Sequence, residues 1–380
     1  MPQIITFMAF LFSRRKKKER RNMHHEFIPV KISSVKKETN DCISVEFDIP
    51  KEVKSNLTFL AGQYLTLRTE IDGESVQRPY SLCSAPHEDS YKVAIKKAEH
   101  GQFSNHANSH FKSGDTIEVM GPEGNFTLDL SSKNSKKYVF FAAGSGITPV
   151  ISLIKEILHI EPKSSITLFY GNKTYSSIIF YEELQELKNA HERFKIHYFF
   201  TEEPMKDQMY CGRLDVSKCN VLAQKLILKT EETDEFLLCG PEKMIFDLKD
   251  LFLEQGVKKE HIHFELFESA AGNILKNKEP KEHSPDEDMA EVTITLDGED
   301  HVLQVPYDDQ PIIEYVLDAG YPAPFSCLGG VCCSCRAKLL EGEVEMMANF
   351  ALEDEEVEEG YRLTCQSLPR SDKIHLDYDQ

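Results

Sequence analysis

The stretch YVFFAAGSGITPV, Tyr138 to Val150, decides how this 380-residue chain is read. Tyr138–Ala142 is an apolar run of strand length, Ala143-Gly144-Ser145-Gly146-Ile147-Thr148-Pro149 is a glycine-rich turn, and a helix is expected over Val150–Leu158. A strand that turns through glycines into a helix opens a βαβ unit, and the helix N-terminus there suits a dinucleotide pyrophosphate. Pro149 fits the first turn of that helix, where its missing N–H loses no hydrogen bond. It also stands where the third glycine of G-x-G-x-x-G would be, so the turn by itself reads equally as the tight entry of an ordinary helix.

Outward from this stretch the alternation continues. Ile166–Tyr170, Phe194–Phe199 and Glu235–Cys239 are further apolar runs, and Tyr181–Ala190 and Lys243–Gln255 are helix-like. Residues 133–270 are therefore expected to form an α/β domain with a parallel sheet covered on both faces. Upstream, Phe27–Val35, Cys42–Ile49, Tyr64–Thr69, Tyr91–Lys96 and Thr116–Met120 are short β-rich runs broken by turns such as Asp72-Gly73. They predict an antiparallel β-barrel over 25–132. Downstream, 271–289 is polar and lacks an apolar period, which predicts a linker. The segment 290–380 opens with a hairpin, Val292–Leu296 and His301–Val305, followed by a short helix at Pro311–Ala319, and reads as a small α+β unit.

Length allows two or three compact units. The 41 % hydrophobic content supports buried cores and argues against disorder. The net charge of −19 is uneven, with 20 acidic against 5 basic residues between 290 and 380. That sign argues against nucleic acid as a partner. It fits either docking to a basic protein surface or a solvated acidic face. At the other end Ile4–Phe12 is largely apolar and Arg14–Arg21 carries seven basic residues. A shallow surface anchor is one reading of this basic extension, 1–24. The preferred one starts the protein at Met23. Nine residues are about half of a bilayer span, so no integral membrane span is expected. With no secretory cleavage pattern, the expectation is a cytoplasmic protein with free thiols.

Cys327, Cys332, Cys335 and Cys365 are separated by four, two and 29 residues. Four thiolates make the ligand set of a [2Fe–2S] cluster, and the first three follow the plant-type spacing. Gly329 and Gly330 allow the loop to wrap around the sulfurs. A Cys₄ zinc site normally shows two short-spaced pairs, whereas Cys365 stands alone. Cys333 lies off the spacing and is expected to be a buried non-ligand. In the barrel, Arg78-Pro79-Tyr80-Ser81 offers a cation for a phosphate, an aromatic face for a flavin ring and a hydroxyl donor, though an Arg-Pro-Tyr turn is often purely structural. Lys173 follows the second strand of the α/β unit with no acidic residue beside it in sequence. It is expected either to meet the 2′-phosphate of NADPH or to be a solvated loop lysine.

Together these motifs resemble the ferredoxin-NADP reductase superfamily with a C-terminal plant-type [2Fe–2S] ferredoxin domain of β-grasp fold. The ferredoxin segment carries the likeness from Pro324 to Ala337, at Glu341–Val344 and at Gly360–Gln366. It is similar to the domain fused to the reductase components of multicomponent phenylacetyl-CoA epoxidases. The resemblance implies Cys327, Cys332, Cys335 and Cys365 as iron ligands, and Arg78, Tyr80 and Ser81 on the flavin phosphates, ring and N5. It places Gly101-Gln102-Phe103-Ser104 as the turn that cradles the FAD pyrophosphate. Gly144, Ser145, Gly146 and Thr148 then form the nucleotide turn, and Cys239-Gly240-Pro241 lies beside the nicotinamide. Tyr80, Ser81 and Cys239 are the implied catalytic residues. No site is assigned to Phe264–Phe267. The implied cofactors are FAD, the cluster and NADPH or NADH. The implied activity is an NAD(P)H-dependent oxidoreductase passing single electrons to an oxygenase, diiron in the implied case. Another oxygenase, hydroxylase or desaturase as acceptor, or a non-enzymatic redox sensor, are the rival readings.

Overall fold

The computed structural model describes residues 27–55, 57–267 and 289–380. The basic extension and all but the last residue of the expected linker lie outside them. The first unit contains β1 (Ile28–Thr39), β2 (Cys42–Asp48), a one-turn helix α1 (Lys51–Lys54), β3 (Tyr64–Ile71), β4 (Glu74–Ser81), β5 (Tyr91–Lys96), α2 (Gln102–His110) and β6 (Thr116–Glu123). The strands form an antiparallel sheet in the order β4-β3-β6-β1-β2-β5. Alternation of apolar residues drives it, with Leu65 and Leu67, Val93 and Ile95, and Ile117 and Val119 all turned into one core. A bridge from Leu82 to Val93 joins the two edges, so the sheet closes as a barrel.

The second unit contains β7 (Lys137–Ala143), α3 (Ile147–Ile160), β8 (Ser165–Asn172), α4 (Tyr181–Ala190), β9 (Phe194–Phe200), α5 (Val216–Gln224), β10 (Glu235–Cys239), α6 (Glu242–Glu254) and β11 (Ile262–Glu265). All five strands are parallel, in the order β11-β10-β7-β8-β9. Burial on both faces explains the unbroken apolar runs. Tyr138, Phe140 and Ala142 pack under α3, while Val139 and Phe141 pack with Leu248 and Phe252 of α6. The chain leaves β7 on both sides, to β8 and to β10, so the switch point of the sheet lies beyond the carboxyl ends of β7 and β10. Neither α5 nor β11 was expected from sequence. Only Cys219 and Leu222 of α5 are buried, and β11 is four residues long, so neither carries a sustained pattern.

The third unit contains β12 (Met289–Leu296), β13 (Glu299–Pro306), α7 (Ile312–Asp318), β14 (Arg336–Glu341), β15 (Val344–Met346), α8 (Asp354–Glu358), β16 (Tyr361–Leu363), β17 (Ser367–Pro369) and β18 (Lys373–Asp377). Five strands form a mixed sheet, β13-β12-β18-β14-β16, with β12 and β18 parallel, and α7 packs onto it through Ile312, Ile313 and Val316. This is a β-grasp arrangement. Among the described residues no helix is long and apolar enough to cross a membrane.

Candidate active site and iron–sulfur centre

The switch point gathers segments of both the barrel and the α/β unit. The turn Gly144–Gly146 leads from β7 into α3, and Cys239-Gly240-Pro241 leads from β10 into α6. The two touch. A methyl group at Gly146 would sit 2.1 Å from the Cys239 carbonyl oxygen, so only glycine permits this approach. Thr148 donates its hydroxyl to the Ser145 carbonyl at 3.0 Å, bracing the turn. The Cys239 thiol is fully buried, and burial with Glu265 nearby pushes it well above its usual range, so it stays neutral.

Ser81, at the end of β4, reaches into the same place and donates to Glu265 of β11 at 3.2 Å. Burial pushes the Glu265 carboxyl up to about 8, and the Ser81 hydroxyl partly offsets this. Glu265 lies in the segment to which sequence reading assigned no site. Its signal was absent because β11 is short and its pairing with β10 is a tertiary fact. Lys96 is a second residue that the sequence did not single out. It ends β5 with its Nζ 3.8 Å from where a Gly144 methyl would lie, placing a cation at the glycine turn. Its ion pair with Asp41 is 3.6 Å long.

The barrel residues fit a flavin. Arg78 is half-buried and its guanidinium donates to the Gln77 carbonyl at 2.6 Å, with no carboxylate partner among the described residues. A half-buried guanidinium of this kind suits a phosphate. Tyr80 lies 5.5 Å from Phe103, centroid to centroid, giving an aromatic surface. Gly101 precedes α2, whose N-terminus carries no side-chain cap, and the Ser104 hydroxyl accepts from the Ala98 N–H at 3.0 Å. Lys173 is exposed on the surface. The structure brings Glu202 from beyond β9 to 3.3 Å from it, so an acidic residue does stand beside this lysine.

The four expected iron ligands come together. Cys327, Cys332, Cys335 and Cys365 are all buried, and Cys332 donates to Cys327 at 3.1 Å. The Cys327 thiol is pushed well down by hydrogen bonds from Cys332 and Cys365, then by the N–H groups of Gly329 and Val331. Cys332 and Cys365 are pushed well up by Cys327 and burial, so the geometry that suits a [2Fe–2S] core is four buried sulfurs with the Gly329 N–H donating to Cys327 at 3.3 Å. Left-handed backbone occurs at Gly330 and at the non-glycine Leu328, not at Gly329. Cys333 points away, donating to the Ala351 carbonyl at 3.3 Å, and is half-buried rather than buried. The acidic run beside the cluster is partly engaged within the chain. Glu356 pairs with Arg336 at 2.6 Å and Asp354 pairs with Lys259, leaving Glu355, Glu358 and Glu359 exposed.

The cluster loop rests on the barrel. Tyr64 packs with Cys327, Cys332 and Val331 in one buried group, and in the β3–β4 ladder Tyr64 stands directly opposite Ser81. One side chain thus separates the hydroxyl at the nucleotide cleft from two of the cluster cysteines.

Comparison with known proteins supports the same three cofactors. The model of the oxidoreductase FAD-binding domain matches residues 29–128, that of the oxidoreductase NAD-binding domain 140–250, and that of the 2Fe-2S iron-sulfur cluster binding domain 294–370. The chain is 34 % identical over 354 residues to a component of the 1,2-phenylacetyl-CoA epoxidase of Escherichia coli (strain K12), covering 93 % of this chain and 98 % of that one. It is 33 % identical over 355 residues to the ferredoxin reductase component of 3-ketosteroid-9-alpha-monooxygenase from Rhodococcus rhodochrous, covering 91 % and 95 %. The solved structure of phthalate dioxygenase reductase, a modular structure for electron transfer from pyridine nucleotides to [2Fe–2S], superposes with a TM-score of 0.56 at 25 % identity. That superposition covers 92 % of this chain and 98 % of the other. With FAD, a nicotinamide nucleotide and a [2Fe–2S] cluster as its cofactors, the chain belongs to the ferredoxin-NADP reductase-like oxidoreductases that serve as reductase components of oxygenase systems.

Proposed function

We propose that this chain draws electrons from NADPH or NADH and delivers them singly to an oxygenase of the phenylacetyl-CoA epoxidase type, with a diiron centre as the acceptor. A bound flavin would supply hydride acceptance with release of single electrons, and a bound [2Fe–2S] cluster would supply one-electron acceptance. The chain's own residues arrange this. Arg78 would hold the flavin phosphates, Tyr80 with Phe103 would back the ring, and Ser81, whose hydroxyl proton goes to Glu265, would lie at its reactive edge. Lys96 and the Gly144–Thr148 turn hold the nucleotide pyrophosphate. Cys239 and Glu265 flank the nicotinamide as neutral groups, with Glu265 carrying a proton at its carboxyl below about pH 8.

The observation that carries the relay is Tyr64, set between Ser81 and the cluster cysteines. The acceptor class is supported by the E. coli relative, matched over nearly its whole length. A second reading, a reductase for another oxygenase, is favoured by the steroid monooxygenase component at almost the same identity. Steady-state electron transfer to purified candidate oxygenases, with NADPH and NADH in turn, separates them. Coupled epoxidation of phenylacetyl-CoA is expected. Transfer only to a different oxygenase would overturn the first reading.

A further inference from the structure

The contact between the cluster loop and the barrel is unusually polar for a surface so well buried. Along β3 and β4, Tyr64, Thr66 and Gln77 share one face, while Leu65, Leu67, Arg78 and Tyr80 share the other. The first face clasps the loop that carries the iron ligands. Gln77 donates to the Phe325 carbonyl at 2.7 Å, Thr66 and Ser326 exchange a hydroxyl hydrogen bond, and Glu123, from the end of β6, accepts from both Tyr64 at 3.0 Å and Ser334 at 2.6 Å. Tyr64, Thr66, Gln77, Ser326 and Ser334 are all buried. These bonds bracket the ligands: Phe325 and Ser326 precede Cys327, and Ser334 lies between Cys332 and Cys335. Apolar packing alone would let the loop slide over the barrel, whereas directional bonds to buried hydroxyls fix one register.

We propose that Glu123, bridging Tyr64 and Ser334, is the positioning residue that pins the cluster loop at one distance from the flavin strand. The role rests on the relay reading above. Tyr64 and Ser334 both donate to the same carboxylate oxygen of Glu123, so one group ties the strand to the loop. Ser81 shares the face of Tyr64, Thr66 and Gln77, so the loop that this face clasps lies against the flavin strand itself. Any loosening of the pin lets the loop move away from that strand.

The test uses the full-length holoprotein with Glu123→Leu, Glu123→Gln and Ser334→Ala, each checked for flavin and iron content. A bond to a charged carboxylate is expected to shift the opening equilibrium by roughly 10- to 150-fold. Amide hydrogen exchange over 325–335 should accelerate by that factor in Glu123→Leu and Ser334→Ala, while Glu123→Gln, which keeps an acceptor, restores most of the protection. In rapid mixing with nucleotide, flavin bleaching should keep its parental rate and cluster bleaching should slow in the same two variants. Should Glu123→Leu fail to fold, Ser334→Ala removes the same bond from the loop side and carries the same expectation. Unchanged exchange with unchanged cluster bleaching overturns the pin. Equal slowing of flavin bleaching overturns it too, because it would place these residues in the barrel's own stability. Parental protein whose flavin bleaches without its cluster would instead refute the relay, and the exchange result would still decide the pin.

Discussion

Replacing Glu265 by Gln isolates the titratable group that faces the nucleotide cleft. In the parent protein its carboxyl is pushed up to about 8 by burial, with Ser81 from β4 as the hydrogen-bond donor and Cys239 from β10 as a neutral neighbour. About nine-tenths of molecules carry this proton at pH 7, and about one-tenth at pH 9. A nicotinamide ring entering the cleft strips water from the group, which is harmless while it is neutral. Once ionised, it becomes a buried charge with one hydroxyl partner, a penalty of about 1–3 kcal/mol. The Michaelis constant for nucleotide should therefore rise by about 4- to 25-fold as pH increases from 7 to 9.5, around an apparent pKa near 8, a ceiling set by the neutral fraction falling about 30-fold over that range. Glu265→Gln cannot ionise and should give a flat profile. Stability follows the same sign. The folded pKa lies above the ordinary value of 4.5, so this contribution is complete below about 4.5 and is lost as pH rises through about 8. Steady-state kinetics across pH 6–9.5, with thermal melts of both proteins, supply the readout. Superimposable pH profiles for parent and variant would rule out Glu265 as the titrating group.

Other outcomes follow from the same geometry. Cys332→Ser should abolish the visible absorbance of the cluster, while Cys333→Ser should leave it intact, because the Cys333 sulfur points at Ala351; iron content and spectra decide. Gly146→Ala should cost about 1–3 kcal/mol of stability through the clash with the Cys239 carbonyl and weaken nucleotide binding, read by melting and by titration with NAD(P)⁺. If Lys173 holds a 2′-phosphate, Lys173→Ala should raise the Michaelis constant for NADPH roughly 10- to 150-fold more than that for NADH; equal effects would leave it as the exposed partner of Glu202. Neutralising Glu355 and Glu358, rather than Glu356, which is held by Arg336, should slow delivery to an oxygenase at low salt and leave ferricyanide reduction unchanged.

Local spacing made much of this protein legible without coordinates. The strand, glycine turn and helix at Tyr138–Val150, and the three short-spaced cysteines, each lie within a few residues of chain, where backbone geometry leaves few alternatives. Unbroken apolar runs in one segment and alternating ones in another likewise specify a sheet buried on both faces and a sheet buried on one. Tertiary packing alone settles which of these pieces meet. Ser81, Cys239 and Glu265 come from β4, β10 and β11, Lys96 reaches the Gly144 turn from β5, and Glu202 reaches Lys173 from beyond β9. Tyr64 reads in sequence as one more apolar strand residue; it stands beside Cys327 and Cys332 because barrel register and domain docking place it there. Such contacts depend on strand pairing and burial between segments far apart in the chain, and neither leaves a mark in the spacing of neighbouring residues.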